Sequence, residues 1–160
     1  MNIEIVAFVV IPIIAWCLIV HTLLYRDRER VYSAWSELHS LLEKRISFIQ
    51  IMTNNSDNVE EIDTRLKTID NNAYLPELAL QHKKLSEALN SEKFSQLYTE
   101  ELRDLDKSIE LHTEWYNAAS KNLNVRLQSF PDMLIGKIFG FRAVEYFAEK
   151  KEEKQDSPLV

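Results

Sequence analysis

Glycine is nearly absent from this chain. Of 160 residues only Gly136 and Gly140 are glycine, and both lie close to the C-terminal end. Glycine is the residue most at ease at positive φ, so the chain before Gly136 has little means of building tight turns or backbone cradles for phosphate. Helices joined by short polar connections are what remain. Gly-rich phosphate loops and the Gly-x-Ser-x-Gly nucleophile elbow are excluded by the same shortage. Cysteine is reduced to Cys17, which can close no intrachain disulfide and meets none of the spacings of a structural zinc site, so the redox compartment stays open. Positive charge is also in deficit: 19 Lys and Arg stand against 25 Asp and Glu, a formal net charge of −6. Neutralising a phosphate backbone takes a concentrated excess of cations, so no nucleic-acid partner is expected.

What is present is a long apolar run and, behind it, helical periodicity. At this length there is room for one membrane segment and one compact domain. Residues 5–24 read IVAFVVIPIIAWCLIVHTLL, close to the roughly 20 apolar residues that cross a hydrocarbon core. Pro12 is tolerable in a spanning helix. A cleaved signal would want a positive n-region, a shorter apolar core and a small-residue cleavage site, and none is present. Met1 to Glu4 carries no Lys or Arg, whereas the run exits into Arg26-Asp27-Arg28-Glu29-Arg30. The positive-inside rule therefore predicts a single-pass protein of the inner or plasma membrane, N-terminus outside and the C-terminal domain cytoplasmic. His21, near the inner end of the run, reads as a neutral interfacial residue rather than a proton relay.

Four helical segments follow, separated by polar breaks at 53–57, 71–75 and 90–91. Val31, Trp35, Leu38, Leu42, Arg45, Ile49 and Met52 alternate steps of four and three, an a/d seam. No breaker separates Leu24 from Val31, which predicts one rod from membrane into domain. Val59, Ile62, Leu66 and Ile69 mark a short second helix. Leu78, Leu85 and Leu89 mark a third, with Pro76 in its first turn. The fourth carries Tyr98, Leu102, Leu105, Ile109, His112, Tyr116, Ala119 and Leu123 from an expected cap at Asn90 or Ser91. The fold expected is all-α: an N-terminal transmembrane helix continuing into an antiparallel up-down four-helix bundle, with a three-helix coil as the alternative. Its division is an anchor at 1–25, a bundle with an apolar C-terminal tail at 26–147, and a disordered tail at 148–160.

Tyr116-Asn117 lies fourteen positions before Phe130-Pro131, and an apolar stretch then closes in Phe139-Gly140-Phe141 and Tyr146-Phe147. With Arg30-Val31, Ala34-Trp35-Ser36 and Arg45 near the anchor, this arrangement resembles the LemA family of small bacterial membrane-anchored helical proteins. The resemblance departs at Phe48-Ile49-Gln50, at Asp106-Lys107-Ser108-Ile109 and at Leu123-Asn124, which stands where the family has a second Tyr-Asn step. It implies an anchor, an antiparallel helical bundle, no known cofactor and no established catalytic residue.

Candidate chemistry is sparse. Glu37-Leu38-His39 and Glu110-Leu111-His112 lack the Glu-x-x-His spacing of a bundle metal site, and residues two apart do not share a helix face. No catalytic, cofactor-binding or metal residues are assigned, no enzymatic activity or small-molecule substrate is expected, and His39, His82 and His112 read as one seam histidine (His112) and two surface or boundary ones. Arg45 on the seam needs a partner, with Glu100, Glu101 and Asp106 as candidates. Asn117 and Asn124 share a helix face and are expected to bond a neighbouring helix or the tail. Residues of interaction or tail packing are therefore Trp35, Arg45, Tyr116, Asn117, Asn124, Phe130, Pro131, Phe139, Gly140, Phe141, Tyr146 and Phe147. The tail either caps the bundle end or enters the inner leaflet. The function expected is a membrane-anchored interaction or scaffold module that docks an unidentified protein partner, or a self-assembling structural protein.

Overall fold

The computed structural model describes residues 3–54, 60–70, 73–90 and 99–147. Val59, Ser91, Tyr98 and the tail at 148–160 lie outside them. Five helices are described: α1 (Ile3–Asn54), α2 (Glu60–Lys67), α3 (Leu75–Leu89), α4 (Glu100–Gln128) and α5 (Asp132–Ile138). α1 is one rod of 52 residues with Pro12 inside it. Among the described residues it is the one helix long and apolar enough to cross a membrane.

The axis of the domain is the antiparallel pair of α1 and α4. Asp27 meets Arg126 at 2.9 Å, Glu37 faces His112 at 3.7 Å, and Arg45 meets Asp106 at 2.7 Å, so numbers rise along one helix as they fall along the other. Between these contacts the seam residues interlock. Leu24, Val31, Leu38 and Leu42 of α1 are buried in one cluster with Tyr116 and Leu123 of α4. Each leucine so enclosed contributes about 1.5–3 kcal/mol. A second cluster at the far end joins Ile49, Ile62, Leu66, Leu85, Leu89 and Leu102, one or more residues from each of α1 to α4.

α2 and α3 are short because each is bounded early. The last turn of α2 is closed by Thr68 and Ile69 bonding back to Arg65 and Leu66, and α3 opens with Pro76 in its first turn. α3 spans both clusters, Leu78 and Ala79 in one and Leu85 and Leu89 in the other. Its course is parallel to α1. α4 begins later than the sequence reading expected: Thr99 is its cap, with the hydroxyl accepting the Leu102 N–H at 3.3 Å. Asn90 instead closes α3, its N–H bonding back to Ser86. Glu100 and Glu101 follow Thr99 into the first turn, where the helix dipole favours negative charge.

His82 is a second correction. It is buried, not a surface or boundary residue, because it lies four after Leu78 and three before Leu85 and so completes the α3 stripe. Neither ring nitrogen meets a hydrogen-bond partner among the described residues. Burial, reinforced by the positive charge of Arg45 and by His39, pushes its pKa from 6.5 down to about 4. The folded protein therefore keeps His82 neutral where the unfolded chain takes up a proton, and the stability this represents is whole above pH 6.5 and lost as pH falls towards 4. Urea unfolding of the detergent-solubilised chain is expected to lose up to about 3 kcal/mol across that window, and His82→Leu is expected to flatten the loss.

Candidate functional site

After α4 the chain turns at Phe130-Pro131, a cis peptide, makes α5, and turns again at Gly140 with φ of 71°. That is left-handed backbone, which glycine adopts without the clash a Cβ would bring. Gly136 serves a different purpose: a Cβ there would stand 2.6 Å from the Leu127 side chain, so its absence lets α5 lie close against α4. Ile135 is buried with Val20 and Leu24 of α1. Asp132 joins Arg126 at 3.3 Å, and Arg126 is already held by the buried Asp27.

Residues 141–146 then run as extended chain up the α1–α4 pair, away from the apolar end of α1. Two asparagines hold them. Asn124 donates its side-chain N–H to the Val144 carbonyl at 2.7 Å and accepts the Val144 N–H at 2.8 Å. Asn117 does the same to Phe147, at 3.2 and 2.9 Å. The register is a matter of pitch: seven residues of helix rise about 10.5 Å, and three residues of extended chain cover about 10 Å. Between the two amides the Tyr116 hydroxyl donates to the Glu145 carbonyl at 2.8 Å. Burial, with the Glu145 charge adding to it, raises the Tyr116 pKa against the opposing effect of Ser120, so the phenol stays a donor at neutral pH.

Side chains complete the clamp. The rings of Trp35 and Tyr116 lie 5.5 Å apart, and buried Phe147 sits 6.1 Å from Trp35. Phe141, half-buried, lies under the Arg28 guanidinium at 5.3 Å and 5.8 Å from His21. Tyr146 points outward. Of the residues named from the sequence, Trp35, Tyr116, Asn117, Asn124 and Phe147 thus converge on one strip, with Phe141 at its lower end. Phe130 and Phe139 remain exposed, and Pro131 caps α5. Arg45 stands apart, near the far end. It pairs with Asp106 rather than Glu100 or Glu101, and also donates to the Ser86 hydroxyl at 2.7 Å and the His82 carbonyl at 3.4 Å. The tail is therefore neither a lid over the bundle end nor wholly free. Its segment 141–147 is packed lengthwise while α5 keeps an apolar face outside.

The sequence reading missed Asp27, Arg126, Val144 and the burial of His82. The first two had a signal: Arg126 is the next step of the α4 seam after Leu123, and Asp27 stands four before Val31. Val144 had none, because its role is carried by its backbone. Among the described residues no group of three or more His, Cys, Asp or Glu is arranged to hold a metal ion.

The two asparagines, the Phe-Pro turn and the Phe-Gly-Phe close lie inside residues 71–160, the stretch matched by the sequence model of the LemA family. The chain belongs to the LemA family. No curated protein and no solved structure matches it. In this LemA chain the motif residues thus form a clamp that fastens the chain's own C-terminal segment to its long helices.

Removing either amide breaks two neutral hydrogen bonds, about 2 kcal/mol together. Hydrogen exchange at the Val144 and Phe147 amides is expected to speed up about 30-fold in Asn124→Ala and Asn117→Ala respectively. Asn124→Asp, which still accepts from Val144 but cannot donate, should fall between.

Proposed function

We propose that this LemA chain is a membrane-tethered docking module: an antiparallel up-down four-helix unit that α1 holds at the inner face of a membrane, its outer α4 face offered to a helical partner. The anchor reading is supported by α1, whose apolar residues from Phe8 to Ile19 are largely exposed, as suits a lipid-facing segment. The orientation, domain inward, rests on the arginines that follow the run.

One observation carries the docking role. On the side of α4 opposite its buried seam, Leu111, Trp115, Ala118, Asn122 and Val125 form a second series of alternating steps of four and three. Leu111, Trp115 and Val125 are 44%, 53% and 53% exposed. A surface stripe at this spacing is what a helix lays its own apolar face against. Trp115 is the natural anchor, since a large ring loses little conformational entropy on being covered. Nothing in this reading calls for chemistry, a cofactor or a small-molecule substrate.

A photo-crosslinking residue replacing Trp115 in the full chain, in native membranes, should give a discrete adduct. Leu111→Glu in the same chain should cut its yield about tenfold or more, the loss of a hot-spot contact of about 1.4 kcal/mol or more. An adduct of twice the chain's mass would identify the partner as a second copy. No adduct, or a yield indifferent to Leu111→Glu, would sink the docking reading.

A further inference from the structure

α5 has two faces of opposite use. Ile135 and Gly136 are buried against α4 and α1. Phe130, Leu134 and Ile138 succeed one another every four residues on the outside, with Phe139 next to them, and are 78%, 46%, 74% and 54% exposed. Four large apolar side chains concentrated on and beside so short a helix form a patch that a water-facing surface rarely tolerates.

The position of the patch says what covers it. The Phe139 ring lies 4.5 Å from His21, which is inside the apolar run of α1. Val20 and Leu24, in the same run, are buried with Ile135. α5 therefore stands over the last turns of the apolar segment, and its outer face occupies the place where those turns would otherwise meet lipid. Leu18 and Ile19, on the adjoining turn of α1, are exposed as well. The polar groups of the segment suit an interface: Asp132 is drawn to Arg126, while Lys137 and Arg142 are exposed and long enough to reach headgroup phosphates.

We propose that α5 is a second membrane contact, lying in the interface beside α1 with Phe130, Leu134, Ile138 and Phe139 set among the acyl chains. It rests on the anchor reading above. The domain is then held at two points, and its rotation about the axis of α1 is restricted: the patch faces lipid in only one orientation, and the α4 docking stripe takes a fixed bearing to the bilayer. An apolar face engaged this way sinks roughly 5–10 Å below the headgroups, and Leu24 stands about 6 Å along the helix from Val20.

Single cysteines carrying an environment-sensitive fluorophore, introduced into full-length Cys17→Ser protein as Ile138→Cys and separately as Leu134→Cys, test this in vesicles of phosphatidylcholine and phosphatidylglycerol. Ile14→Cys in the apolar run and Lys121→Cys on the exposed side of α4 are the references. The expected result is that positions 134 and 138 follow position 14: blue-shifted emission, quenching by doxyl-labelled lipid and loss of quenching by aqueous iodide. Iodide quenching at 134 and 138 equal to that at 121, with position 14 still quenched by lipid, overturns the α5 proposal and leaves the anchor. Failure at position 14 as well overturns both. Protection of 134 and 138 from both quenchers means protein covers the patch, and overturns the lipid assignment.

Discussion

The register between α1 and α4 governs the rest of the structure. Their apolar seams are periodic, so a slip of one heptad, about 10.5 Å along the axis, would still set leucine against leucine. The charges forbid it. Asp27 and Arg45 are both buried on α1, and only one alignment gives each its partner on α4, Arg126 for the first and Asp106 for the second. A slipped pair would leave buried Arg45 without its carboxylate, at a cost of several kcal/mol, and Asp27 with only Arg30 of its own helix. These ion pairs therefore act less as sources of stability than as a choice among alignments that hydrophobic packing alone would leave close in energy.

Both attachments to the pair read off that register. Ser86 and the His82 carbonyl of α3 meet Arg45, so α3 is set by the same guanidinium that sets α4. At the other end Arg126 bridges Asp27 and Asp132, so α5 is set by the guanidinium that Asp27 holds. The segment beyond Gly140 lies where Trp35 of α1 and Tyr116 and Asn117 of α4 come side by side, an arrangement that exists only in this alignment. Local choices and long-range packing agree, as a well-specified fold requires.

Helices were legible in the sequence wherever a seam was long. The all-α class, the unbroken α1 and the short α2 and α3 followed from apolar periodicity and from the lack of breakers. The start of α4 was less legible, since Asn90 and Thr99 are both competent caps; Asn90 closes α3, and Thr99 opens α4 with an acidic first turn after it. His82 was passed over because periodicity was counted on apolar residues, whereas burial follows position on the helix and not residue type. Within the clamp the helix side could be read: Asn117 and Asn124 are seven apart, beside the seam. The tail side could not, because what Asn124 and Asn117 bind is the backbone of Val144 and Phe147, and a backbone has no signature in sequence.

The clamp also fixes the level of Phe147 along the helices. Phe147 is seated at the level of Trp35, which lies about 16 Å along α1 from Leu24, farther than the headgroup layer is thick. On the anchor reading proposed above, with Leu24 at the hydrocarbon edge, Gly140 lies close to lipid and Phe147 lies in water. A label placed at Phe147 would, on that reading, report from the aqueous side, although the segment leading to it passes the bilayer surface a few residues earlier.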